Sequence, residues 1–87
     1  VARRIIDNAG YRGCFGHSLG HGVGVEIHEG PNLAPRSQGV LKEGMVVSCE
    51  PGIYLEGQYG ARIEDLVAIT PEGCWNLNRT SKELICL

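Results

Sequence analysis

Apolar residues recur along this chain with two different periods. Val1, Ile5, Ile6 and Ala9 share one stripe of a 3.6-residue helix, and Gly10 stands where such a helix stops. Further on the period shortens to two. Val23, Val25 and Ile27 alternate with Gly24, Glu26 and His28, which predicts a strand. Residues 45–55 form a β-rich run broken by Pro51-Gly52, so Glu50 is expected at a strand's bend or end. In residues 61–70, Ile63, Asp65 and Val67 face one side while Arg62, Glu64, Leu66 and Ala68 face the other. Pairing these two runs as a hairpin across the turn at 56–60 brings Glu50 and Glu64 toward one site. Residues 14–24, rich in glycine and histidine, predict a strand or bent loop with close backbone approach. Pro31, Pro35 and Gly39 mark a loop, and 74–77 and 84–87 are short candidate strands. One short N-terminal helix and a mainly antiparallel sheet make this an α+β chain.

Length narrows the picture. Eighty-seven residues make at most one small domain, and a chain this size buries only about 60% of its unfolded surface. A net charge of −2 gives no electrostatic reason to expect nucleic acid or an anionic membrane as partner. The longest apolar runs, such as Met45-Val46-Val47, are far too short to span a bilayer, and a soluble, cytoplasmic protein is expected. Cys14, Cys49, Cys74 and Cys86 show no CxxC spacing and sit beside apolar or aromatic residues. Buried free thiols in a reducing cytoplasm are expected, although an even count leaves disulfides open. Starting inside a helix at Val1, the chain reads as a portion of a longer one.

The candidate chemistry is that of a metal site. His21 and His28 stand seven residues apart in a glycine-rich stretch, and Glu50 and Glu64 follow in apolar settings. One neutral imidazole with two carboxylates suits manganese, cobalt, iron or zinc, and leaves a second histidine for proton transfer. A buried carboxylate needs such a partner, because unpaired it is costly or takes up a proton. Competing motifs fail. His28-Glu29 begins like HExxH, but the fourth position after His28 is Asn32, and Gly30-Pro31 breaks the required helix. The glycines at 20, 22 and 24 lack the lysine and hydroxyl of a phosphate loop and the strand–turn–helix setting of a dinucleotide site.

Four stretches carry a resemblance. His17-Ser18-Leu19-Gly20-His21-Gly22-Val23-Gly24, His28-Glu29-Gly30-Pro31, residues 44–54 around Ser48-Cys49-Glu50-Pro51-Gly52, and Gly60-Ala61-Arg62-Ile63-Glu64-Asp65 resemble the proline-peptidase branch of the pita-bread metallopeptidases. That branch holds Xaa-Pro aminopeptidase and Xaa-Pro dipeptidase (prolidase), with methionine aminopeptidase and creatinase as relatives. Nearly the whole chain is covered, in the family's order and spacing. The resemblance implies that residues 1–87 are the C-terminal portion of a pita-bread catalytic domain, a mainly antiparallel curved sheet with one short N-terminal helix.

It also implies roles. His21, Glu50 and Glu64 match metal ligands, Glu64 as the carboxylate bridging two divalent ions. Manganese is expected first, with cobalt, zinc or iron as alternatives. His28 matches the histidine that steadies the tetrahedral intermediate, His17 a further active-site histidine, and Arg62 the arginine beside the ligands. Glu50 is expected to shuttle a proton from water to the leaving nitrogen, on an Xaa-Pro peptide substrate. The family's remaining ligands are two upstream aspartates; Asp7 and Asp65 do not match them. The chain alone is therefore expected to bind one ion or none and to be inactive, and to self-associate by exposed faces and edges. A peptide- or protein-binding module that has lost catalysis, or a creatinase-like metal-free hydrolase, is the alternative reading.

Overall fold

A computed structural model describes all residues from Val1 to Leu87. Helix α1 (Ala2–Ile6) widens into a π-helical turn over Asp7–Tyr11, and Gly10 ends helical geometry at φ 95°. The predicted stop is thus where the sequence puts it. The apolar stripe is not covered, however: Val1 and Ile5 remain exposed, because α1 buries nothing of its own. Its main tie to the rest is Arg3, whose guanidinium sits 4.7 Å over the Phe15 ring and donates to the Phe15 carbonyl.

Seven strands follow: β1 (Gly20–Gly22), β2 (Glu29–Leu33), β3 (Val46–Cys49), β4 (Gly52–Leu55), β5 (Tyr59–Arg62), β6 (Asp65–Thr70) and β7 (Gly73–Asn76). Five form an antiparallel sheet in the order β2-β1-β3-β6-β7, and β4 and β5 form a separate ribbon. The expected long hairpin is present in two pieces. β3 pairs β6 from Val46↔Ala68 to Cys49↔Asp65, and β4 pairs β5 from Gly52↔Arg62 to Leu55↔Tyr59. Proline has no N–H to give a ladder, and the break falls at Glu50-Pro51 as predicted.

Three expectations fail. Residues 23–28 are a bent connection, not a strand, closed by Gly24 N–H donating to the Glu26 carbonyl (3.2 Å). Alternation specifies a strand only when one face is covered, and here Val25 and Ile27 stay in solvent. Pro31 lies within β2 rather than in a loop; β2 is an edge strand, where a missing N–H costs little. Residues 84–87 form no strand.

The core is small. Only 6 of 87 residues are buried, with Phe15 and Val47 as its apolar members, so most sheet faces remain open to solvent. The radius of gyration is 14.2 Å, against about 12 Å for a compact domain of this length. All four cysteines are free, but none is fully buried: Cys14 and Cys49 are half-buried and Cys74 and Cys86 exposed. Solvent exclusion, reinforced by Asp65, Cys74 and Glu50, pushes the Cys49 thiol up, so it stays uncharged.

The tail after β7 folds back along β6. Leu77 N–H donates to the Leu66 carbonyl (2.9 Å) and Leu66 N–H to the Asn78 side-chain oxygen (2.7 Å). Lys82 Nζ lies 2.9 Å from Asp65 Oδ1, a solvent-shielded atom. Contact with this ammonium, helped by an Asn76 hydrogen bond and working against partial burial, holds the Asp65 carboxyl below its ordinary value of 3.8. A depressed carboxylate stabilises the fold above its ordinary value, and that contribution is lost as pH falls through the native one. Lys82→Met should therefore flatten the acid limb of a stability-against-pH curve below pH 3.8. An unchanged limb in denaturant titrations would show that the contact carries no stability.

Candidate metal centre

The break between β3 and β4 turns Glu50 out of the ladder while Glu50 N–H still donates to the Leu19 carbonyl at 2.7 Å. Its side chain is 14% exposed and points at β1. There His21 Nδ1 lies 2.9 Å from the Gly22 carbonyl, which only accepts, so Nδ1 carries a proton. His21 Nε2 is thereby turned to Glu50 Oε1, 3.1 Å away. In the neutral ring both atoms are acceptors, and facing acceptors require a proton or a metal cation between them.

The other carboxylate oxygen has its own cation. Arg62 Nη1 lies 2.5 Å from Glu50 Oε2 and 2.8 Å from Glu64 Oε2, so one guanidinium nitrogen ties both glutamates together. Arg62 ends β5 and Glu64 lies two positions on, in the short link to β6, and their side chains meet on one side. Burial pushes the Glu50 carboxyl up. The hydrogen bonds from Ser48 and Arg62, with the charges of Arg62 and His21, outweigh that and hold it below the usual carboxylate range. The same two carboxylates push the Arg62 guanidinium further up.

The predicted residues therefore fall into two groups. His21, Glu50, Arg62 and Glu64 form one contiguous network, and the exposed His28 ring rests on His21 with centroids 4.5 Å apart. His17 belongs to a second. Its Nδ1 is 2.7 Å from the Ser18 carbonyl and its Nε2 2.8 Å from the Tyr54 hydroxyl, while its ring meets Phe15 edge-on. With both nitrogens engaged, His17 is a fixed wall rather than a free proton carrier. Sequence reasoning missed Ser48 and Tyr54. The two-residue spacing puts Ser48 beside Glu50, but nothing in the sequence signals its bond to His21; Tyr54, 37 residues from His17, gave no signal either.

The residues fit a divalent ion only in part. His21 Nε2 and Glu50 Oε1 are an oriented nitrogen–oxygen pair, but no three His, Cys, Asp or Glu side chains are gathered for an ion. Arg62 stands between Glu64 and the rest. Its positive charge does for the paired carboxylates what a metal ion does, keeping them together against their repulsion.

The family model for metallopeptidase family M24 matches residues 1–71. The chain is 53% identical over 85 residues to the Xaa-Pro dipeptidase of Pyrococcus furiosus, covering 98% of this chain and 24% of that protein. Among solved structures, the Xaa-Pro dipeptidase from Bacillus anthracis superposes with a TM-score of 0.94 at 53% identity, over 98% of this chain and 24% of the other. X-Pro aminopeptidase from Thermotoga maritima gives 0.89 at 47% identity, over 93% and 23%. The chain thus spans about a quarter of the length of the curated relatives it matches. Its helix and antiparallel sheet are a portion of the pita-bread fold that these proteins share. A matching family model over most of the chain, on a fold superposing this closely, makes it a member of metallopeptidase family M24.

Proposed function

We propose that the complete polypeptide carrying these residues is a metal-dependent exopeptidase that cleaves Xaa-Pro bonds. The observation that carries this reading is the His21–Glu50 pair, whose tautomer is fixed by Gly22 and whose facing acceptors call for a cation. Bound divalent ions would supply Lewis acidity and bring the pKa of a shared water toward neutrality. His21, Glu50 and Glu64 would hold them, and the mixture of imidazole with carboxylate oxygens favours manganese, with cobalt, zinc or iron as alternatives.

The chain's own groups do the rest. Glu50 takes a proton from the attacking water and passes it to the leaving nitrogen. That nitrogen is a tertiary amide in an Xaa-Pro bond and has no N–H to offer a peptidase. His28, exposed and edge-on to the His21 ring, donates to the oxygen of the scissile carbonyl as charge develops there. Arg62 holds the two glutamates in register, and His17, fixed by Tyr54, offers an immobile edge to the proline ring. The residues completing the ligand set lie outside these 87, so this stretch alone is inactive and holds one ion at most. Its four free thiols support a reducing cytoplasm, and its many exposed apolar side chains support self-association of the isolated chain.

Hydrolysis of an Xaa-Pro dipeptide and of a tripeptide beginning Xaa-Pro, with and without added manganese, tests the reading. Metal-dependent cleavage of the dipeptide alone is expected of a dipeptidase, and cleavage of the tripeptide of an aminopeptidase. Absence of hydrolysis with manganese, cobalt, zinc and iron alike would overturn it in favour of a binding module. Cleavage that persists after exhaustive chelation would instead point to metal-free, creatinase-like chemistry.

A further inference from the structure

Between β1 and β3 a side chain joins the backbone bonds. Val23 N–H donates to the Val46 carbonyl (3.0 Å) and Glu50 N–H to the Leu19 carbonyl (2.7 Å). Between them the His21 N–H donates to Ser48 Oγ at 3.0 Å. Ser48 is fully buried, at 0% exposure. Its hydroxyl has one proton, and the nearer acceptor is Glu50 Oε1 at 2.9 Å rather than the His21 carbonyl at 3.4 Å.

One oxygen atom thus accepts from the main chain of His21 and donates to the side chain of Glu50. The carboxylate atom it grips, Oε1, is the one that faces His21 Nε2. Its partner Oε2 is held by Arg62, so both rotations of the carboxylate are blocked. We propose that Ser48 is a positioning residue of the metal centre, setting the separation of His21 Nε2 and Glu50 Oε1 by bonding both residues at once. This rests on the reading of those two groups as ligands.

The residue type follows from the geometry. Alanine removes the side-chain acceptor of the His21 N–H and frees Oε1 to turn, whereas threonine keeps the hydroxyl on the same β-carbon. A residue that merely fills space is replaced by alanine at little cost and by threonine at more. A positioning hydroxyl gives the opposite order.

The test uses the complete polypeptide and Co(II), whose visible absorption reports coordination geometry and whose dissociation constant is measured against a competing chelator. Loss of an outer-shell partner weakens metal binding by about 10–100-fold. Ser48→Ala is expected to weaken Co(II) by that factor and alter its spectrum, and Ser48→Thr to restore both to within about threefold, a small part of that range. Thermal midpoints of the metal-free proteins separate this from general destabilisation: the spectrum of Ser48→Ala changes even where the protein is folded. If Ser48→Ala does not fold, Ser48→Cys, near-isosteric and a weak donor, carries the same expectation. Unchanged Co(II) affinity and spectrum in a folded Ser48→Ala or Ser48→Cys, while Glu50→Gln loses the ion, would overturn the role of Ser48 and leave the metal centre standing. Co(II) binding that Glu50→Gln leaves untouched would overturn both.

Discussion

Glu50→Gln in the complete polypeptide is expected to lower turnover of an Xaa-Pro dipeptide by about 10²–10⁴-fold, the range that loss of a general base brings, and to lower its content of tightly held metal. The amide has nearly the shape of the carboxylate, so the change is electrostatic. In the native site Oε1 accepts from Ser48 and faces His21 Nε2, while Oε2 accepts from Arg62 Nη1 at 2.5 Å. Ser48 and Arg62 both donate to it, and His21 Nε2 shares a cation with it. Glutamine has one acceptor and one donor: turned toward Arg62 its N–H₂ meets the guanidinium, and turned toward His21 it donates to Nε2 and takes the place of the cation between them. Arg62 also loses one of the two anions it bridges, leaving Glu64 as its only carboxylate. Metal content by emission spectroscopy and initial rates at saturating substrate read the two effects separately. A Glu50→Gln variant with full metal content and unimpaired turnover would show that this carboxylate neither ligates nor moves the proton.

Which parts of this site were readable from residues alone follows from the range over which each signal acts. The helix stop at Gly10 and the break at Pro51 are local backbone chemistry, and both are found where the sequence puts them. The two-residue spacing of Arg62 and Glu64 predicted a shared side, and their side chains meet at 2.8 Å. Hairpin pairing between 45–55 and 61–70 was legible because a glycine-rich turn joins two apolar runs. The strand expected at 23–28 was not found because alternation records only that a face is available to be covered. Val25 and Ile27 have nothing over them, and glycine at 24 lets the backbone bend instead. Tyr54 reaches His17 from β4, a tertiary contact with no trace in local pattern. Ser48 read as an ordinary strand residue because a hydroxyl's importance lies in what it touches, and only the pairing of β1 with β3 discloses that.

Gly20→Ala is expected to have the largest effect on stability of any small substitution here, about 3 kcal/mol or more, at the upper end of overpacking costs. A Cβ at residue 20 would lie 1.8 Å from the Ser48 carbonyl oxygen, 2.6 Å from its carbonyl carbon and 3.0 Å from Oγ. The two nearest are backbone atoms of the central strand, next to Val47, the most deeply buried apolar residue, and they have nowhere to go. To admit the methyl group β1 must move off β3 by about 1.6 Å, the gap between that 1.8 Å clash and an ordinary 3.4 Å contact. The Leu19–Glu50, His21–Ser48 and Val23–Val46 bonds all lie across that seam. Separation also carries His21 Nε2 away from Glu50 Oε1, so the variant should lose affinity for the ion together with stability. Gly16→Ala is the matched control, since a Cβ there meets nothing within 4 Å and the backbone is not in the left-handed region. Its stability in urea should stay within about 0.5 kcal/mol of the native protein. Equal midpoints for the two variants would mean that β1 does not lie against β3 in solution, and the convergence of His21 on Glu50, which depends on that contact, would fall with it.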